Sequence, residues 1–273
     1  MILFFGVGLI AVIAAIPSNI GTARADDARL LDFGPYRAAA EYCRDDVARP
    51  LALSVDQRIL CFDGYLPADQ DLSLVERLQP GGLFVAHSSG GDDALMMKLA
   101  DLLRELDVTV VIYGYCLFSC ADYLVMASAR TVVLKDALVA WTPFADKGDC
   151  LRFVPALDDG PLRLDISRCA GDEDILLRPI GRIDQLRKKF MWTRRVSATF
   201  EMPPQSASVR KVLYRIDWAR AHRMGYVMWL WHPRYQPSAV KTKIVYEAYP
   251  ESQEEVTALA VRLRLGAWFI YDP

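Results

Sequence analysis

One serine and one pair of glycines in this 273-residue chain stand where acyl-transfer sites are built, at two successive corners between a strand and a helix. Gly90-Gly91 follow the apolar run at residues 83–86 in Leu83-Phe84-Val85-Ala86-His87-Ser88-Ser89-Gly90-Gly91, and Ser119 follows the β-branched run at residues 108–113. A serine hydroxyl is a weak nucleophile at neutral pH and needs a neighbouring base to take its proton. The chain offers three histidines for that task, His87, His222 and His232.

The elements between the corners are legible from periodicity. Residues 92–106 carry Leu95, Met96, Leu99, Leu102, Leu103 and Leu106 at helical spacing, and the runs on either side read as buried strands. A strand, helix, strand sequence of this length is a βαβ unit, so the two strands should be parallel, with their carboxyl ends on one edge of the sheet. Ligand chemistry in open α/β sheets gathers at that edge.

On these residues the chain resembles the proteolytic subunit of Clp protease and the wider crotonase superfamily, in particular exported Clp-protease-like proteins. The resemblance covers residues 59–141, with an echo at 216–227. Ile59-Leu60-Cys61-Phe62-Asp63-Gly64 is similar to the family's first strand and turn glycine. His87-Ser88-Ser89-Gly90-Gly91 takes the place of its Asn-Ser-Pro-Gly-Gly, Ser119-Cys120-Ala121 that of its nucleophile, and Asp217 to Gly225 that of a late helix end. The resemblance implies an α/β fold of the crotonase/Clp ββα spiral type, with a mostly parallel sheet and a helical C-terminal part. It also implies Ser119 as nucleophile and an oxyanion corner from Gly90, Gly91 and Cys120, where the free amides of Gly91 and Cys120 should converge on one point.

The family's general base is a histidine that follows the next strand shortly before a proline, and Trp141 stands there, before Thr142-Pro143. Indole cannot accept a proton. The family's acid should fall at residues 206–210, which read Ser-Ala-Ser-Val-Arg. His87 is the candidate replacement base, against the simpler role of hydrogen-bonding a loop carbonyl. His222 and His232 read as structural or interfacial, and a Ser-Lys dyad through Lys135 or Lys147 would need a desolvated amine beside Ser119.

Composition fits an exported single body. The chain is 53% hydrophobic and 24% charged, and its net charge of -2 offers no electrostatic argument for nucleic acid or an anionic membrane. The basic run Arg187-Lys188-Lys189, with Arg194-Arg195, reads as a solvated helix face. Residues 2–16 are almost wholly apolar, and Ala23-Arg24-Ala25 is a small-residue cleavage pattern, so residues 1–25 read as a signal peptide and the destination as periplasmic or secreted. An uncleaved N-terminal membrane anchor is the alternative. All six cysteines lie beyond that segment, an even count that suits an oxidising compartment. Proximity suggests Cys43 with Cys61, Cys116 with Cys120, and Cys150 with Cys169, and no partner ligands at suitable spacing favour a metal.

The organisation then reads as an N-terminal cap segment over 26–54 with a helix near 36–43, a core over 55–227 with an insertion at 145–178, and a C-terminal extension over 228–273. A helix is expected at 179–199. Another should start at the capping box Ser252 to Glu255 and stop at Gly266, and the apolar Ala267 to Tyr271 should pack on the body or on another subunit. The functional reading is a homologue that keeps Ser119 but has lost the base, and that binds a peptide or protein partner in the old cleft. The alternative is a serine hydrolase acting on peptides through Ser119 with His87 or another base. Acyl-CoA, the ligand of the crotonase branch, is not expected outside the cytoplasm, so no cofactor is implied. Self-association stays open.

Overall fold

The fold is built around strands that are apolar on both faces, as parallel strands covered on both sides must be. The structure is a computed structural model and describes residues 31–45, 48–141, 152–155, 162–165, 182–196, 227–234, 236 and 240–273. Strands β1 (Leu51–Leu53), β2 (Ile59–Leu66), β3 (Leu83–Gly91), β4 (Thr109–Leu117) and β5 (Arg130–Val133) lie side by side in that order. The β1–β2 pair is antiparallel, and β2–β3, β3–β4 and β4–β5 are all parallel. This is the mostly parallel α/β sheet that the sequence implied, and β3 runs farther than its apolar core, through His87 to Gly91.

Helix α1 (Gly34–Arg44) contains the expected 36–43 helix, and Cys43 at its last turn bonds Cys61 of β2. A short helix α2 (Ser73–Glu76) precedes β3. Helix α3 (Asp93–Glu105) is the crossover. Asp92 caps it by accepting from the Leu95 N–H at 2.9 Å, and Met96, Met97, Leu99, Ala100 and Leu103 are buried. Each of these Leu and Met side chains, fully buried, contributes roughly 1.5–3 kcal/mol.

Strand β4 serves two neighbours. Its first half, Thr109–Ile112, pairs with β5, and its second half, Tyr115–Leu117, pairs with β6 (Leu138–Ala140). The change of partner falls at Gly114, whose φ of +63° is open to glycine at no steric cost. Beyond β4 the chain turns into a short helical segment that opens at Ser119. It makes a π-turn (Cys120–Leu124) and a single α-helical turn, α4 (Val125–Ala127). Hydroxyls end that turn by taking its last carbonyls: Thr131 donates to Val125 O at 3.1 Å, and Thr242 donates to Met126 O at 2.6 Å and Ser128 O at 2.8 Å. The Cys116–Cys120 disulfide spans the corner. Cys150 and Cys169 lie outside the described residues.

Within the expected insertion, β7 (Arg152–Pro155) and β8 (Leu162–Asp165) form an antiparallel pair. Helix α5 (Arg182–Thr193) falls inside the predicted 179–199 helix. The C-terminal stretch is woven into the same unit, Asp32–Pro273. Strand β9 (Val227–Trp229) reaches β6 through the Trp141–Trp229 bridge, and β10 (Lys243–Tyr246) adds to the main sheet beside β5. Helix α6 (Gln253–Arg262) starts where Ser252 accepts from the Glu255 N–H, while the Glu255 carboxylate takes the N–H of Glu251.

The stop of α6 is not Gly266. The left-handed residue is Arg264, at φ +55°, which swings Leu265 into the core three residues after the last helical position. Strand β11 (Trp268–Ile270) then pairs with β9, so the apolar C-terminus packs on the body, with Phe269 and Ile270 buried. No helix among the described residues is long and apolar enough to cross a membrane.

Candidate functional site

At the glycine corner, Ser88 is fully buried and its hydroxyl accepts from the Gly90 N–H at 2.8 Å while donating to Gly64 O. Those bonds hold the turn in which Gly90 takes a φ of +103°. A side chain is excluded at both glycines. A Cβ on Gly90 would lie 2.1 Å from Ser119 Oγ, and one on Gly91 would lie 2.3 Å from Leu66 O in β2.

Ser119 follows Phe118, a non-glycine residue at φ +50°, in a sharp corner of the kind that presents a nucleophile at the top of a sheet. Its hydroxyl is nevertheless turned onto the glycine corner. Ser119 Oγ accepts from the Gly91 N–H at 2.9 Å and donates to Gly91 O at 3.0 Å. The Gly91 amide that sequence reasoning expected to be free for an oxyanion is therefore engaged by the serine itself. Among the described residues no imidazole, amine or carboxylate hydrogen-bonds Ser119 Oγ, which is 6% exposed as a residue.

Trp141, where the sequence resemblance led a base to be expected, is 2% exposed and exchanges both backbone hydrogen bonds with Trp229, at 3.0 and 2.8 Å. It belongs to the main apolar cluster with Tyr123 and Phe190. An indole there extends the core, and its size and apolarity explain its burial.

His87 lies in a different environment. Asp63 and His87 are register partners in the parallel β2–β3 pair, and Asp63 Oδ1 lies 3.3 Å from His87 Nδ1. Asp63 is almost buried and its other oxygen pairs with Arg49 at 2.8 Å. On the other side, Ala86 pairs with Ile112 and Ser88 with Cys116, so three residues of β4, Tyr113-Gly114-Tyr115, oppose the single His87. Bulges of this kind re-aim side chains and gather next to functional sites. The imidazole meets Tyr115 edge-on at 4.2 Å and Tyr113 at 5.2 Å, and Gly114 must lack a side chain because a Cβ would lie 2.7 Å from His87 Cδ2. Burial, with the Asp63 charge adding, pushes both tyrosine hydroxyls up to about 12, so both remain protonated donors at neutral pH.

The expected hydrogen bond from His87 to a loop carbonyl is thus replaced by a pairing with a carboxylate. Asp63 and the two tyrosines were missed from sequence. Their signal was available for Asp63, which sits four residues after the start of β2 as His87 sits four after the start of β3. Lys135 lines the same cleft as His87, and its backbone N–H is held by Glu247. His232 accepts from the Arg234 N–H through Nδ1 at 3.1 Å and packs edge-on against Tyr249. Burial holds its pKa below the usual histidine range. His222, Lys147 and residues 206–210 lie outside the described residues. No group of three or more metal-ligating side chains occurs among the described residues.

No protein-family profile matches the chain, and no curated protein matches it. Among solved structures, an enoyl-CoA hydratase from Mycobacterium smegmatis aligns over 81% of this chain and 98% of its own, at 13% sequence identity and a TM-score of 0.28.

Proposed function

We propose that this chain is an exported, Clp-protease-like protein that has lost hydrolytic activity and holds a peptide or protein partner at the serine corner. The observation that carries the reading is the closed pair between Ser119 Oγ and the backbone of Gly91. A working acyl-transfer serine needs its proton drawn toward a base and an amide left open for the oxyanion. Here the proton is directed to Gly91 O and the amide is spent on the hydroxyl. Two disulfides, Cys43–Cys61 and Cys116–Cys120, support an oxidising destination.

A second reading, an active serine hydrolase, is favoured by one observation: Asp63 and His87 form the carboxylate and imidazole half of a triad. Their contacts are with Arg49, Tyr113 and Tyr115, whereas those of Ser119 are with Gly91. Turnover of a mixture of peptide and ester substrates separates the readings. The oxidised wild-type protein is expected to hydrolyse no faster than Ser119→Ala, and His87→Ala is expected to change nothing. Turnover lost in both variants establishes the second reading.

A further inference from the structure

The cleft that contains His87 has features of its own. It encloses about 390 Å³, in the range of small-molecule sites, and draws its walls from α1, β2, β3, β4, the turn after β5 and α6. Four cationic side chains line it, Arg44, Arg49, Lys135 and Arg262, against two carboxylates, Asp63 and Asp136. Asp63 is committed to Arg49 and His87, and Asp136 to Arg262 at 2.6 Å. Arg44 pairs with Glu41 and also lies over the Tyr113 ring, 5.3 Å from its centroid. The Lys135 ammonium feels the charge of Glu247, which holds its backbone N–H and also pairs with Arg37, and the lining of the cleft itself carries four cations against two carboxylates.

Its floor is fixed from several directions. The Cys43–Cys61 disulfide ties the end of α1 to β2, which brings Arg44 and Asp63 to one rim. Tyr113 donates to Cys43 O at 3.4 Å, and the imidazole packs its Cδ2 edge into the space that a side chain at Gly114 would take, while the His87 side chain stays 28% exposed. A buried carboxylate on one nitrogen of a histidine orients the ring and leaves the other nitrogen to a ligand.

We infer that this cleft is a binding site for a small oxyanion, a carboxylate or a phosphate, held by Lys135 and the neighbouring arginines against the Asp63-oriented imidazole of His87. The inference does not rest on the fate of Ser119. Charge-assisted hydrogen bonds from Arg and Lys suit either anion, Arg by its fork and Lys as a point charge.

The chain has only three histidines, so imidazole proton signals are a sparse and direct probe. The test is a titration of the oxidised full-length protein with inorganic phosphate and, separately, with succinate, against sodium chloride of matched ionic strength. The His87 signal, identified by its loss in His87→Gln, is expected to move saturably with one anion or both, and the arm that saturates identifies the ligand class. Lys135→Ala is expected to weaken that binding about tenfold, the effect of removing one charged hydrogen-bond partner. Arg262→Gln should weaken it in the same direction, and Ser119→Ala should leave it unchanged. Lys135 and Arg262 are exposed, so neither substitution removes core packing. A His87 signal that neither anion moves beyond the chloride control overturns the site. So does a shift that is identical in wild type and Lys135→Ala, which marks an adventitious ion only.

Discussion

Gly91→Ala is expected to destabilise the fold by on the order of 3 kcal/mol, because the obstacle to the new methyl group is backbone rather than a side chain that can turn away. The Cβ would lie 2.3 Å from Leu66 O, 2.5 Å from Leu66 Cβ and 2.9 Å from Leu66 Cα, all on the adjacent strand of the ladder. Gly90→Ala meets another obstacle. Its Cβ would lie 2.1 Å from Ser119 Oγ, 2.8 Å from Cys120 N and 3.1 Å from Ser119 Cβ, at a φ of +103° that L side chains rarely adopt.

Since its nearest clash is with the serine hydroxyl, part of the Gly90→Ala loss should be relieved when Ser119 is also alanine. The backbone strain and the Cys120 contact should remain. The Leu66 clash of Gly91→Ala has no such remedy. Urea unfolding of the single and double variants measures the coupling directly. A near-neutral Gly91→Ala, or no coupling between Gly90 and Ser119, would contradict the packing of the corner described above.

The second large effect concerns the disulfides. Cys43–Cys61 closes a segment with a sequence separation of 18, and the loop-entropy relation assigns such a bridge about 3 kcal/mol. Cys116–Cys120 has a separation of 4, for which the same relation gives about 2 kcal/mol. The double variant Cys43→Ala/Cys61→Ala should therefore lose more stability in denaturant than Cys116→Ala/Cys120→Ala. It should also broaden the imidazole signal of His87, since it frees α1 from the strand that carries Asp63. The reverse order of stabilities would show that the short bridge at the serine corner contributes native-state contacts beyond its loop.

Much of this architecture could be read from residue type and spacing. The β3–α3–β4 unit announced itself because its strands are buried on both faces and its helix has one apolar side, spaced over residues 92–106. The two disulfides followed from proximity, since residues close in the chain and flanking neighbouring elements are easily brought together. What escaped was decided by tertiary pairing. Nothing local to Tyr113-Gly114-Tyr115 states that β4 changes partner there, because the bend arises from β5 and β6 competing for different halves of one strand. The left-handed turn at Arg264, just beyond α6, escaped because burial of Leu265 overrides the local preference for glycine in the left-handed region. The candidate site divides in the same way. Ser119, Gly90 and Gly91 were legible as a corner. The closed state of that corner depends on a tertiary approach that sequence patterns do not fix, and the pairing of Asp63 with His87 was signalled only by their equal offsets in β2 and β3.

The central claim is that Ser119 is not an activated nucleophile. Its most direct measurement is reaction of the oxidised protein with a fluorophosphonate, which modifies a serine only when a base withdraws the hydroxyl proton, followed by peptide mapping across Ser119. The account predicts no adduct on Ser119 in the wild type, and an unlabelled background indistinguishable from that of Ser119→Ala. A stoichiometric adduct on Ser119 that disappears in Ser119→Ala would contradict it, and its further loss in His87→Ala would place the Asp63–His87 pair in the catalytic machinery.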